Sequence, residues 1–154
     1  VTGRGPEILT NINGLRPYVH DKNVVHIGQR DWEETQKSGS EDVKDTEITC
    51  FDLAMIRKEG VEAIVANLLI HLQVLQTDGF WIHFDTDVLD DDSNPAVNYR
   101  LKGGLSFDET GYILSSLLQT GRIAGISVTI YNPLLDKYGS IATHLVALLE
   151  KSFR

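Results

Sequence analysis

The sequence is poor in cysteine. Cys50 is the only one among 154 residues, so no disulfide bond can form within the chain. It lies in the apolar run from Ile48 to Phe51, which favours a buried free thiol. A free thiol indicates a reducing compartment, and no segment that is first basic and then apolar opens the chain as a secretion signal would. Both features predict a cytoplasmic protein.

Basic residues and long hydrophobic runs are also scarce. Lysine and arginine number 14 against 22 aspartates and glutamates, a net charge of −8. Nonspecific binding of nucleic acids depends on basic side chains that neutralise phosphates, so this balance argues against such a partner. No stretch approaches the roughly 18 apolar residues of a membrane span, so no membrane partner is expected. With 42% apolar and 23% charged residues, the composition is typical of a globular domain with a core.

Short apolar runs alternate with amphipathic segments along the chain. The runs that predict strands are residues 24–28, 47–51, 80–84 and 124–130, and the segments that predict helices are 61–76, 108–119 and 140–151. Residues 32–46 are polar and predict a surface loop. The run 80–84 is almost wholly apolar, as in a parallel strand covered on both faces. Strands that alternate with helices predict an α/β fold, three-layer αβα with a mainly parallel sheet.

Acidic residues follow the third predicted strand. Ligands of open parallel sheets bind at the carboxyl ends of the strands, which singles out residues 29–33, 51–52, 85–90 and 131–133. Asp85 and Asp87 are two residues apart, so on an extended chain their carboxylates point the same way and repel unless a cation lies between them. Carboxylate oxygens suit Mg²⁺ or Mn²⁺. The alternative is an acidic, solvated turn that continues through Asp90 to Asp92.

Further motifs carry a resemblance to a known family. The stretch from His83 to Asp90, followed by Pro95-Ala96 and Gly103-Gly104-Leu105-Ser106, resembles a segment of the arginase/agmatinase/formimidoylglutamase (ureohydrolase) family. Residues 27–31, Ile-Gly-Gln-Arg-Asp, and Asn132-Pro133 are similar to two other motifs of that family, in the same order. Two motifs of the family's first half, Gly-Gly-Asp-His and Asp-Ala-His-x-Asp, have no counterpart. The resemblance implies that residues 1–154 are the C-terminal portion of a single arginase-like α/β domain, with the N-terminal portion absent.

The resemblance also implies a metal-dependent activity. In the complete site Asp85 would bridge two Mn²⁺ ions and Asp87 would hold one of them, and the ions would be weakly bound or absent in this fragment. The reaction would be hydrolysis of a linear C–N bond in a small amidino or guanidino substrate, and the fragment alone would be inactive. Ile82 and Phe84 would face the helices that cover the strand. A severed parallel sheet exposes an edge, so we expect a homo-oligomer or association with the missing N-terminal part.

Four residues are candidates for contacts with the substrate or with a metal ligand, or differ from the family there. Ile130 stands where the guanidine hydrolases of the family have a glutamate, which leaves the substrate open. Glu33 matches an acidic residue that contacts the amino group of amino-acid substrates. Arg100 is either a partner of a substrate carboxylate or a solvated loop residue. His83 replaces the family's serine and is either structural or a partner of a metal ligand.

Two other functions remain open. In the first, the chain is a non-catalytic arginase-like scaffold that binds a ligand or a partner, which the isoleucine at position 130 supports. In the second, the residues from Phe84 to Val88 are the nucleophile loop of a haloacid-dehalogenase-like phosphatase, which also follows an apolar strand. That loop does not account for Pro95-Ala96 or for residues 103–106.

Overall fold

A computed structural model describes all 154 residues of the chain. They form two compact units, Val1–Ala54 and Met55–Arg154. Helix α3, Leu53–Glu59, contains the boundary between them. No helix in the chain combines the length and the apolar composition needed to cross a membrane.

The first unit contains a pair of parallel strands. Its elements are α1 (Glu7–Thr10), β1 (Val25–Ile27), α2 (Trp32–Lys37) and β2 (Thr49–Phe51). Strands β1 and β2 pair in parallel, with Val25 opposite Thr49 and Ile27 opposite Phe51, as predicted. Cys50 is free but half-buried, so the expectation of a buried thiol is only partly met. Loss of hydration, and then the charge of Asp52, raise the pKa of this thiol.

The predicted loop over residues 32–46 is wrong in part. Helix α2 occupies Trp32–Lys37, and a 3₁₀ turn follows at Val43–Asp45. Glu33 and Glu34 lie in the first turn of α2 and Lys37 in its last, an arrangement that the helix dipole favours. Six residues are too few for an amphipathic period to stand out in the sequence, so the helix was not expected.

The second unit is a βαβ arrangement with further helices. It contains α4 (Val61–Val74), β3 (Phe80–Asp85), α5 (Phe107–Leu118), β4 (Ile123–Thr129) and α6 (Ser140–Ser152). Strands β3 and β4 are parallel, with Trp81 opposite Gly125 and Asp85 opposite Thr129. Parallel pairs in both units confirm the predicted α/β class.

Helix positions follow from local sequence. Four apolar residues of α4 are buried at helical spacing, namely Ile64, Val65, Leu68 and Leu72. Helix α5 begins with a capping box: the Ser106 hydroxyl accepts from Glu109 N at 3.1 Å, and the Glu109 carboxylate accepts from Ser106 N at 2.8 Å. Arg57 pairs with the same carboxylate and donates to Gly104 O at 2.7 Å, which ties α3 to the start of α5.

One face of β3 packs on the core of the second unit. The buried cluster comprises Phe84, Leu89, Leu114, Leu145 and Leu148, and Ile82 and Ile126 pack against it. The predicted inward orientation of Ile82 and Phe84 is therefore confirmed. The expectation that β3 is covered on both faces is wrong for this chain, because Trp81 is 65% exposed and the side chain of His83 is also exposed. Side chains alternate along a strand, so the even positions face the helices and the odd ones do not.

Candidate metal and substrate site

Asp85 and Asp87 lie at the carboxyl end of β3. Asp85 is the last residue of the strand, and Asp87 is in the 3₁₀ turn Thr86–Val88 that follows it. Asp85 pairs in register with Thr129, the last residue of β4. This is the end of a parallel sheet at which ligands bind.

Buried hydrogen bonds hold the turn that carries Asp87. The hydroxyl of Thr86, which is fully buried, donates to Thr129 O at 3.0 Å. The side-chain amide of Asn94, also buried, donates to Thr86 O at 2.7 Å. Both bonds satisfy polar groups away from water, so the backbone of the turn is fixed relative to β4.

The loop after the turn folds back on itself. Asp90 N donates to Leu105 O at 2.9 Å, and the Asp90 carboxylate accepts from Gly103 N at 2.6 Å. A Cβ atom on Gly104 would lie 2.5 Å from the backbone of Leu89 and Asp90, so only glycine fits there. The Asp90 carboxylate therefore has a structural role in this loop.

A row of polar side chains surrounds Asp85. Its Oδ1 atom accepts a hydrogen bond from the hydroxyl of Thr129 and lies 3.2 Å from His83 Nε2. His83 Nδ1 is 2.8 Å from Ser127 Oγ. The indole N–H of Trp81 donates to that same hydroxyl oxygen at 3.2 Å. His83 is thus a neighbour of the predicted metal ligand.

The end of β4 carries an unusual backbone conformation. Ile130 has a φ of 74° and is 45% exposed. A β-branched residue in the left-handed region is rare, because its Cβ crowds the following carbonyl group. Beyond it, Asn132 N donates to Ala96 O at 2.8 Å and the Asn132 amide donates to Asn98 at 2.7 Å. The Asn132-Pro133 motif thereby joins the loop that follows β3.

The two predicted substrate contacts lie on the surface. Glu33 is in the first unit, at the start of α2, where its exposed carboxylate lies 3.9 Å from Lys37. Arg100 is in the loop after β3 and pairs with Asp91. The hydrogen bond to Asp91 raises the pKa of the Arg100 guanidinium. Each side chain already has a partner of opposite charge.

The ligand chemistry suits a hard divalent cation, but the donors are few. Asp85 and Asp87 offer carboxylate oxygens, which Mn²⁺ and Mg²⁺ bind well. No group of three or more histidine, cysteine, aspartate or glutamate side chains in the chain is arranged to hold a metal ion. The two carboxylates are therefore of the right chemical type for such a cation, but they are too few to hold it alone.

Sequence patterns did not identify three residues beside Asp85. Trp81, Ser127 and Thr129 belong to no motif, and the two β4 residues follow Asp85 by more than 40 positions in the chain. Their contacts depend on the register between β3 and β4. The available signal was period-two alternation, which places Trp81 and His83 on the same face as Asp85 and Ser127 on the same face as Thr129.

Comparisons with known proteins agree on one family. The family model described as Arginase family matches residues 13–153. Proteins named arginase from Staphylococcus aureus (strain COL) and Brevibacillus brevis are 30% and 32% identical over 153 and 151 residues. These alignments cover 99% and 98% of this chain, and 49% of each relative. The chain thus spans about half the length of the curated relatives it matches.

Solved structures give the same result. The crystal structure of arginase from Bacillus cereus matches with a TM-score of 0.84 and 29% identity, covering 99% of this chain and 51% of that one. The formimidoylglutamase from Bacillus subtilis, at 23% identity and a TM-score of 0.68 over 86% of this chain and 41% of that one, shares the fold. The predicted family and fold are confirmed.

Proposed function

Because this chain belongs to the arginase family of hydrolases, we propose that it supplies part of a binuclear manganese site that hydrolyses C–N bonds of linear amidines or guanidines. The observation that carries the proposal is the position of Asp85 and Asp87 at the carboxyl end of β3, inside a stretch with the family's motif order. In the complete site Asp85 would bridge two Mn²⁺ ions and Asp87 would hold one. A bound pair of such ions lowers the pKa of a shared water and stabilises developing negative charge.

The residues of this chain would hold and orient ligands. The Thr129 hydroxyl and the His83 imidazole contact Oδ1 of Asp85, and the buried bonds of Thr86 fix the turn that carries Asp87. Gly104 keeps the loop backbone close to Leu89 and Asp90. A site whose carboxylates are set before the cation binds loses less conformational freedom on binding.

The activity is proposed for a longer chain that contains these residues. Two carboxylates cannot complete the coordination of two ions that each take about six ligands. We therefore expect the 154 residues alone to bind Mn²⁺ weakly and to hydrolyse no guanidine.

Self-association, or pairing with the rest of an arginase-like domain, would cover the exposed edge and face of the sheet. A cytoplasmic location belongs to the same proposal.

The substrate is the open part of the proposal. Ile130 lacks the carboxylate that would pair with a guanidinium ion, so either another carboxylate takes that role or the substrate is an amidino compound other than a guanidine. Two residues are separate candidates for substrate contacts: Glu33 for an amino group and Arg100 for a carboxylate. For this Arg100 would exchange its bond to Asp91 for one to the substrate.

A second candidate is a non-catalytic scaffold of the same family. Ile130 favours it, because an exposed apolar side chain stands at the end of β4 where guanidine hydrolases carry a charge. The hydrolase and the scaffold would share the fold, and only the hydrolase would convert a substrate.

A substrate panel distinguishes them. The longer chain would be loaded with Mn²⁺ and assayed for urea, formamide or ammonia released from arginine, agmatine and formimino amino acids. Turnover that Asp85→Asn abolishes and Asp92→Asn leaves unchanged would support the hydrolase, because Asp92 is an exposed carboxylate of the following loop. A protein that retains two Mn²⁺ ions without turnover of any compound would favour the scaffold.

A further inference from the structure

Trp81, Ser127, His83 and Asp85 form a continuous row on the open face of the β3–β4 pair. The strand register places His83 opposite Ser127 and Trp81 opposite Gly125. The indole ring of Trp81 occupies the space that a Cβ atom on Gly125 would need. A glycine at position 125 therefore lets the ring lie across β4, where its N–H reaches Ser127 Oγ at 3.2 Å.

The direction of each hydrogen bond follows from the chemistry of the row. An indole N–H can only donate, so Ser127 Oγ is the acceptor from Trp81. The single hydroxyl hydrogen of Ser127 is then available to His83 Nδ1, which lies 2.8 Å away. A neutral imidazole that accepts at Nδ1 carries its hydrogen at Nε2. His83 Nε2 is 3.2 Å from Asp85 Oδ1 and 3.4 Å from Thr129 Oγ1, so an N–H at this position faces two oxygen atoms that can accept it.

The opposite tautomer is disfavoured by the same contacts. With its hydrogen on Nδ1, His83 would present a lone pair at Nε2 to a carboxylate oxygen 3.2 Å away, and the two would repel. The Ser127 hydroxyl hydrogen would also lose its partner in the row. The hydroxyl of Thr129 is also 3.4 Å from His83 Nε2, but its hydrogen is donated to the nearer Asp85 Oδ1, so toward His83 the Thr129 oxygen is an acceptor.

We propose that His83 is a positioning residue for Asp85, held by Trp81 and Ser127 as the Nε2–H tautomer. Thr129 bonds Oδ1 and His83 lies beside the same oxygen, so the row fixes the rotation of the Asp85 carboxylate. The role of the row in metal binding rests on the proposed function, whereas the tautomer and the contact with Asp85 do not. Partners that orient a ligand typically change metal affinity about 10- to 100-fold.

The tautomer can be read directly by NMR of the 154-residue chain labelled with ¹⁵N-histidine. Long-range ¹⁵N–¹H correlations, recorded where the imidazole is neutral, distinguish a hydrogen on Nε2 from one on Nδ1. The wild-type chain should show His83 as the Nε2–H tautomer. Ser127→Ala should mix the two tautomers, and Trp81→Phe should do so to a smaller degree. Ser116→Ala, which removes a hydroxyl bonded only to its own helix, should change nothing.

Two results would overturn the assignment. One is an Nδ1–H tautomer in the wild-type chain. The other is an Asp85→Ala variant whose His83 Nε2–H signal keeps its chemical shift and its exchange rate with water, since that variant lacks the nearer of the two acceptor oxygens. Neither result depends on bound metal. The first also needs only the wild-type chain, so it does not depend on whether a variant folds.

A Mn²⁺ titration separates this role from the proposed function. In the longer chain that contains these residues, free Mn²⁺ measured by electron paramagnetic resonance should show about 10-fold weaker binding in His83→Ala than in wild type. His83→Gln should recover part of the loss, because its amide N–H can reach a similar position to Nε2–H. Equal affinity of wild type and His83→Ala would overturn the positioning role. Absence of any Mn²⁺ binding, with the tautomer as stated, would instead count against the proposed function.

Discussion

The hydroxyl of Thr86 donates a hydrogen bond to the carbonyl oxygen of Thr129 at 3.0 Å, and both residues lie where their strands end. The bond joins the turn that carries Asp87 to the last residue of β4. Thr86 is fully buried, so water cannot take the place of its hydroxyl if this bond is lost. With the bond from Asn94 to Thr86 O, this contact sets the position of the Asp87 turn relative to β4.

Thr86→Val keeps the shape of the side chain and removes the hydroxyl. It should lower the free energy of unfolding by about 1–3 kcal/mol, because the carbonyl group of Thr129 loses its partner. Urea denaturation measures the change. Thr143→Val is the matched control, since its hydroxyl bonds Gly139 O on an exposed part of α6. Equal losses in the two variants would contradict the importance of the Thr86 bond.

Gly104→Ala should be far more damaging than Gly103→Ala. A Cβ atom on Gly104 would lie 2.5 Å from backbone atoms of Leu89 and Asp90, whereas one on Gly103 meets nothing within 4 Å. Gly103→Ala carries only the strain of its φ of 79°, about 1–2 kcal/mol. We expect Gly104→Ala to exceed that by at least about 2 kcal/mol in chemical denaturation. Similar stabilities would show that the loop can move away from Leu89.

Asp136 should contribute to the pH dependence of stability. Desolvation acts to raise the pKa of this carboxyl, but bonds from the Ala142 and Ile141 N–H groups, with those of Tyr131 and Ser140, outweigh it, so the pKa lies below its usual value. A group with a lowered folded pKa stabilises the fold above its unfolded pKa and loses that effect as the pH falls through the folded one.

The test compares Asp136→Asn with wild type at several pH values. The variant should be less stable near neutral pH. The difference should begin to shrink below about pH 4, where the carboxyl of the unfolded chain takes up a proton, and should continue to shrink until the folded carboxyl is protonated at lower pH. Urea midpoints at each pH measure it. Asp92→Asn, which removes the same charge from an exposed side chain, should show no such convergence. A constant difference between Asp136→Asn and wild type across the range would contradict this account.

Ile130→Asn should stabilise the second unit. Asparagine tolerates a positive φ better than isoleucine does, and relief of the strain at 74° is expected to give about 1 kcal/mol. Val128→Asn is the control, because Val128 is similarly exposed, at 41%, but lies within β4. Asparagine is unfavourable in strands, so that variant should lose stability. A loss of stability in Ile130→Asn as well would mean that the isoleucine makes contacts worth more than its strain.

The sequence predicted most elements of the chain but not the open face of β3. Helix α4 repeats apolar residues at three and four over 14 positions, and this length makes its period unambiguous. Strand β3 is different. Trp81 lies on its exposed face but is apolar, so apolar and polar residues hardly alternate from Phe80 to Phe84. A buried strand and a strand with an exposed tryptophan look alike in such a run. The exposure of Trp81 was therefore visible only in the structure.

The same limit applies to the candidate site. Asp85 and Asp87 could be chosen from spacing and strand position, since both are local features. Ser127 and Thr129 could not, because their contact with His83 and Asp85 depends on a register between strands separated by a helix. The capping box of Ser106 and Glu109 is local, and the start of α5 was accordingly predicted to within one residue.

The most direct test of the account is the manganese content of the longer chain that includes these residues, measured by elemental analysis beside its Asp85→Asn, Asp87→Asn and Asp92→Asn variants. We expect about two Mn²⁺ ions per chain in the wild type and in Asp92→Asn, and a clear loss in the other two. Undiminished manganese in Asp85→Asn and Asp87→Asn would contradict the assignment of these carboxylates as metal ligands.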